Sequence, residues 1–185
     1  MNRRPDRVLR ARSEPILLAE HDPSWSLLFE EERTRLRRLL PESAIGRIEH
    51  IGSTAVPGLV AKPIVDLMVE SPDYETVRQV IAPILEAENY DFFWRPVSRG
   101  DAEIDYAWFI RRDPNGKRTH HVHFAPAGSS LWDRVTFRDF LRSNPEEAEK
   151  YGEIKRQAVS KNLNRAEYAA AKGAYINDAL TRAKG

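Results

Sequence analysis

The sequence contains no cysteine. Disulfides therefore play no part in its fold, and a thiol nucleophile or a thiolate metal site is excluded. It also lacks any run near the ~20 continuous apolar residues of a membrane span. The basic opening, residues 1–12, is not followed by an apolar segment and does not read as a signal peptide. With nothing pointing to export or a membrane, a cytoplasmic location is expected. Charge of one sign is missing too: 29 basic residues against 28 acidic ones leave a net charge of +1. Total charge thus gives no support for a nucleic-acid surface. There is no internal repeat, no low-complexity linker and no GxxxxGK[ST] phosphate loop.

What remains is a globular composition, 41% apolar and 31% charged over 185 residues, enough for one domain of ordinary size. Residues 1–14 read as a flexible arm and 15–185 as the domain. Asp22 and Pro23 open a helix to about residue 40, with Trp25, Leu28, Phe29, Leu36, Leu39 and Leu40 along one face. A short strand is expected over 47–51. The run from Pro63 to Glu70 is nearly continuous apolar sequence and predicts an interior strand. A helix follows from about 73 to 88, in which Pro83 predicts a kink or an early end. Strands are expected over 90–95, 104–111 and 118–125. The turn residues Asp113-Pro114-Asn115-Gly116 join the last two as an antiparallel hairpin. The final third is helical, with Asn144-Pro145 opening one of its helices. This order predicts an α+β fold, a mixed sheet flanked by helices with a helical C-terminal region.

Several polar residues stand out. Gly52 allows a close backbone approach, and Ser53 and Thr54 at a helix start offer amides and hydroxyls to a phosphate; Lys62 adds positive charge. A plain capped turn explains Gly52 to Thr54 equally well. Asp66 lies between Val65 and Leu67, where a carboxylate needs a partner: an arginine if its role is structural, a metal or ligand if it faces a cleft. On a strand, His121 and His123 share a face and His120 takes the other. We expect the pair to face Asp66 as metal ligands or hydrogen-bond donors. His50, Glu103 and Asp105 are further candidates. Tyr151 and Lys155, and again Tyr168 and Lys172, are adjacent on a helix face, which helix packing explains as well as ligand binding.

The stretch Arg47-Ile48-Glu49-His50-Ile51-Gly52-Ser53-Thr54-Ala55-Val56-Pro57-Gly58, continuing through Lys62-Pro63-Ile64-Val65-Asp66, resembles the signature of the GrpB family. His21-Asp22-Pro23-Ser24-Trp25, His121-Val122-His123-Phe124, and Phe137 to Arg142 with Asn144-Pro145, Tyr151 and Lys155 extend the resemblance over most of the chain. That family is similar in fold to the nucleotidyltransferases. The resemblance implies a Gly52-Ser53 pair on a triphosphate and Asp66, thirteen residues after Ser53, as a metal-binding carboxylate. It implies a nucleotide or phosphorylated metabolite as ligand and a divalent ion, magnesium, manganese or zinc, as cofactor. Family members fused to dephospho-CoA kinase also suggest a link to coenzyme A metabolism. Where the nucleotidyltransferases have a second acid two residues on, this chain has Met68, and a thioether is a poor ligand for magnesium.

Overall fold

The computed structural model describes residues 7, 10, 14–95, 106–161, 163 and 165–184. Glu103 and Asp105 lie outside the described residues, as does most of the expected arm. Within them, the apolar run before Ser71 becomes the strand β2 (Val65–Glu70), deep in a five-stranded mixed sheet. The other strands are β1 (Ile48–Ile51), β3 (Asp91–Arg95), β4 (Tyr106–Arg112) and β5 (Arg118–Ala125), in the order β1-β2-β5-β4-β3. All pairings are antiparallel except β2 with β5. A parallel pair needs a long crossover, and the chain between these two strands supplies it with helix and two further strands.

Alternation along the strands divides the sheet into two faces. Val65, Leu67 and Val69 of β2 and Val122 and Phe124 of β5 point to the first face and form the main core. It is covered by α1 (Ser24–Leu39), through Trp25, Phe29 and Leu36, and by the helix after β2. The Asp22 carboxylate accepts the Ser24 N–H at 2.8 Å, as a helix-start cap should. The helix after β2 comes in three pieces: α2 (Tyr74–Thr76), a π-helical turn (Val77–Ile81) and α3 (Ala82–Ala87). Pro83 has no N–H to donate back along the helix. The widened turn directly ahead of it, closed by Ala82 N–H on the Val77 carbonyl, absorbs that gap, so the chain neither stops nor breaks there.

The hairpin forms as the turn residues predict. Gly116 N–H and Asp113 N–H close it against Asp113 O and Lys117 O, each at 2.9 Å, with Gly116 at φ +81°. A register shift at Arg111/Arg112 bends β4 next to the turn. The second face of the sheet carries Ile51, Asp66, Met68, His121 and His123. The helices α4 (Asp133–Ser143), α5 (Pro145–Ser160) and α6 (Arg165–Lys184) pack together on that side. Trp132, just ahead of α4, seals Ile51, Met68 and Ala125. No described helix is long and apolar enough to cross a membrane.

Candidate functional site

Asp66 is the acid inside an apolar strand, and its surroundings account for it. The parallel pairing sets it beside His121 and sets Met68 beside His123. His121 Nδ1 lies 3.0 Å from Asp66 Oδ1, and His123 Nε2 lies 3.6 Å from the same oxygen. His120 turns to the opposite face, where its Nδ1 lies 3.0 Å from Thr119 Oγ1. Burial alone would raise the Asp66 carboxyl, but the His121 hydrogen bond and the nearby His123 imidazole outweigh it and hold the group far below the usual carboxylate range. Burial, helped by nearby Arg134 and opposed by Asp66, pushes His123 down to about 4. Its imidazole is therefore neutral at pH 7, the form that binds metals. The other His123 nitrogen, Nδ1, is 2.7 Å from the Tyr106 hydroxyl, whose oxygen accepts from Arg134 at 3.1 Å. Such an outer partner fixes ring orientation.

One oxygen and two nitrogens, from Asp66, His121 and His123, lie within 4.8 Å of one another. A single transition ion such as zinc or manganese suits that donor set. A pair of magnesium ions, which needs several hard oxygen ligands, does not. Met68, the next residue on this face of β2, is fully buried against Ile51, Ala125 and Trp132.

The turn after β1 closes directly on Asp66. Gly52 takes φ +72°, and a Cβ there would stand 2.6 Å from Asp66 Oδ2, so only glycine permits the approach. Ser53 follows at the start of a 3-10 turn (Ser53–Ala55), and its Oγ accepts from Lys155 Nζ at 2.9 Å. Lys155 is fully buried and also donates to the Val60 carbonyl. Burial, reinforced by Lys172 and Arg156, pushes its ammonium group down to about 7. Burial lowers Lys172 as well, against the pull of Asp66. Lys62 joins them: its Nζ and that of Lys172 each lie 4.5 Å from the Tyr168 ring centre. Together with Ser53, Asp66 and His121 these residues line a cavity of about 230 Å³.

The expected phosphate residues thus divide. Gly52, Ser53 and Lys62 reach the site. Thr54 touches the edge of the cavity, but its hydroxyl is turned inward to His50 Nε2 at 3.0 Å. His50 itself stands on the other face of the sheet. It pairs with Leu67 across β1 and β2, and residues directly opposite share a face, so it stacks on Phe29 at 4.8 Å between ring centres, away from Asp66. Lys155 and Lys172 stood between packing and ligand binding in the sequence, and nothing there singled out Tyr106. The four-residue spacing of tyrosine and lysine was the only signal for the first two, and it serves packing equally well.

The chain matches the family model described as "GrpB protein" over residues 15–182. A UPF0157 protein of Halalkalibacterium halodurans is 34% identical over 178 residues, covering 95% of this chain and 86% of that one. A crystal structure of the conserved protein GrpB from Enterococcus faecalis superposes with a TM-score of 0.74 at 30% identity, over 91% of this chain and 100% of that chain. A dephospho-CoA kinase of Mycolicibacterium paratuberculosis is 26% identical over 193 residues, and the match spans 91% of this chain but 46% of that protein.

Proposed function

The chain belongs to the GrpB family, and from that premise and the geometry of the site we propose that it binds a nucleotide or another phosphorylated metabolite together with one divalent ion. The observation that carries this reading is the junction of two features in one cleft. Asp66, His121 and His123 converge as an O and N donor set. Beside them, Lys62, Lys155 and Lys172 line a small cavity in which Asp66 is the one carboxylate among the described residues. Lys155 and Lys172 repel one another, and burial already weakens the charge on both. An anionic ligand relieves that repulsion, and phosphate suits the combination of ammonium groups and the Ser53 hydroxyl. An ion held by Asp66, His121 and His123 supplies a Lewis acid for a phosphate oxygen. Calorimetry tests the reading with ATP, GTP, CTP, UTP and coenzyme A precursors, each with zinc, manganese, magnesium or no metal. Binding that strengthens with zinc or manganese supports it. No binding to any of them at millimolar concentration overturns it.

A second reading, a non-catalytic binding module linked to coenzyme A metabolism, draws support from Met68 and from the dephospho-CoA kinase that carries a similar segment. Ligand binding without turnover, at saturating metal, favours this module over an enzyme.

A further inference from the structure

Ser53, Asp66, His121 and Lys172 each border two cavities. One is the lysine-lined cavity of about 230 Å³. The other, about 390 Å³, opens on the far side of the same four residues and runs between the C-terminal helices. Its walls there are Val56, Phe137, Leu141, Tyr151, Ile176 and Leu180. Apart from Asp66 and the Lys172 it shares with the first cavity, the charged groups that border it already have partners. Arg138 donates to Glu49 and the His50 carbonyl, Arg134 to Tyr106, and Asp133 accepts from Lys184. Away from Asp66 and Lys172, the Tyr151 hydroxyl is the main polar group left on an otherwise aliphatic and aromatic wall.

Helix α6 forms a wall of both. Tyr168, Lys172, Ile176 and Leu180 recur every four residues, so they follow one another along one face of the helix. The face changes character in one direction: aromatic and cationic at Tyr168 and Lys172, aliphatic at Ile176 and Leu180. At 1.5 Å per residue, Lys172 and Leu180 are separated by roughly 12 Å along the axis.

We infer that the ligand is an amphiphilic phosphoester or diphosphate, with its phosphate in the lysine cavity and an aliphatic chain laid along α6 toward Leu180. This rests on the phosphate-binding reading above and deepens it. The lysine cavity matches the charge of the head, the larger cavity excludes water from the chain, and the candidate ion site lies at their junction. A nucleoside fits the second cavity less well, because its sugar and base would leave polar groups without partners beside Val56, Leu141, Ile176 and Leu180.

The test compares inorganic pyrophosphate, butyl phosphate, octyl phosphate and ATP by calorimetry on the full chain with zinc present. Each buried methylene is worth roughly fourfold in affinity, the equivalent of 0.8 kcal/mol. Octyl phosphate is therefore expected to bind at least about tenfold tighter than butyl phosphate, even when its chain is only partly buried. Filling the far end with Leu180→Trp, or making its wall polar with Ile176→Ser, should bring the ratio of octyl to butyl affinity toward one. Equal binding of the two phosphates by the unaltered protein overturns the inference. So does a ratio that survives both substitutions, loss of both phosphates together in both folded variants, or ATP binding tighter than octyl phosphate. Pyrophosphate separates the two levels: if it binds and no chain-length preference appears, this inference alone falls. If pyrophosphate and every other ligand fail, the phosphate reading falls with it.

Discussion

Glu32 and Asp66 lie on opposite sides of the sheet, and the two carboxylates are satisfied in opposite ways. Glu32 of α1 is completely buried and is held by Arg111 Nη1 at 2.5 Å and the Tyr90 hydroxyl at 2.5 Å. A guanidinium of fixed charge and a tyrosine neutralise it permanently, and burial together with Glu32 drives the Tyr90 hydroxyl upward so that it stays protonated. Asp66 retains 28% side-chain exposure and is held by two imidazoles, groups that change partner readily and bind metals. The first arrangement closes on itself. The second leaves lone pairs aimed into a cleft beside three lysines. A buried acid is therefore not by itself a sign of function; the nature of its partners decides.

The contrast predicts different costs for the two acids. Removing Glu32 strands Arg111 and Tyr90, and breaking a buried pair costs several kcal/mol. Because Arg111 is 34% exposed, the expectation for Glu32→Ala lies at the lower end, about 3 kcal/mol in chemical denaturation. Asp66→Asn keeps an oxygen acceptor for His121 and strands no charge on His123, which is neutral. Its stability should change by less than about 1 kcal/mol. The same variant should lose zinc binding by more than the roughly 10–100-fold that removal of an outer partner costs. Equal stability losses for the two variants, or unchanged zinc content in Asp66→Asn by elemental analysis, would erase the distinction.

His50 sharpens the comparison from the first face. It is buried against Phe29 and Thr54. Burial, with Arg142 and Arg138 adding to it and Asp66 opposing, pushes it from 6.5 down to about 4. Its folded-state pKa is depressed, so the native protein binds fewer protons than the unfolded chain between those two values. Stability is full above 6.5 and is lost as pH falls toward 4, by on the order of 3 kcal/mol for a shift of this size. His50→Gln, which can still reach Thr54, should show a shallower decline across that window. Parallel denaturation curves for the two proteins from pH 7 to pH 4 would remove His50 from the acid sensitivity.

The sequence makes the second face of the sheet legible through parity alone. One acid inside Val65–Glu70, and histidines at 121 and 123 on a strand, fix which side each occupies once the strands are known. Their meeting needed only that β2 and β5 be neighbours. The lysines were not legible in the same way. Lys155 and Lys172 each sit four residues from a tyrosine, a pattern shared by packing faces and binding faces. Only the return of α5 and α6 over the turn at Ser53 gives them a role. The same holds for Glu32: on a helix with many acids, nothing local distinguishes it from Glu30 or Glu31, and its burial is created by Tyr90 and Arg111, 58 and 79 residues away. Pro83 announced a disturbance whose form, a π-helical turn, depended on the need to keep Ile81 and Leu85 in the core.

The smallest expected effect concerns the lysines that set Asp66 apart from Glu32. In the ligand-free protein Lys155 has been pushed down to about 7, so near neutral pH it is only partly charged. A phosphate placed beside Ser53 would favour its charged form and draw a proton from solvent. Binding of pyrophosphate should then be accompanied by proton uptake of up to one proton per chain between about pH 7.5 and 8.5, below the last ionisation of the anion. Calorimetry in buffers of differing ionisation enthalpy measures that uptake directly. Affinity should fall as pH rises through this range, by up to about tenfold per unit at the limit of one linked proton. In Lys155→Met the uptake should disappear or shrink to what Lys172 contributes, because burial lowers that group too. Glu32 offers no counterpart: its partner Arg111 is a guanidinium that stays charged throughout, so Glu32→Gln should leave the proton count of binding unaltered. Proton uptake that persists undiminished in Lys155→Met would move the linked group elsewhere, and proton release would reverse the sign of the coupling between this lysine and the anion.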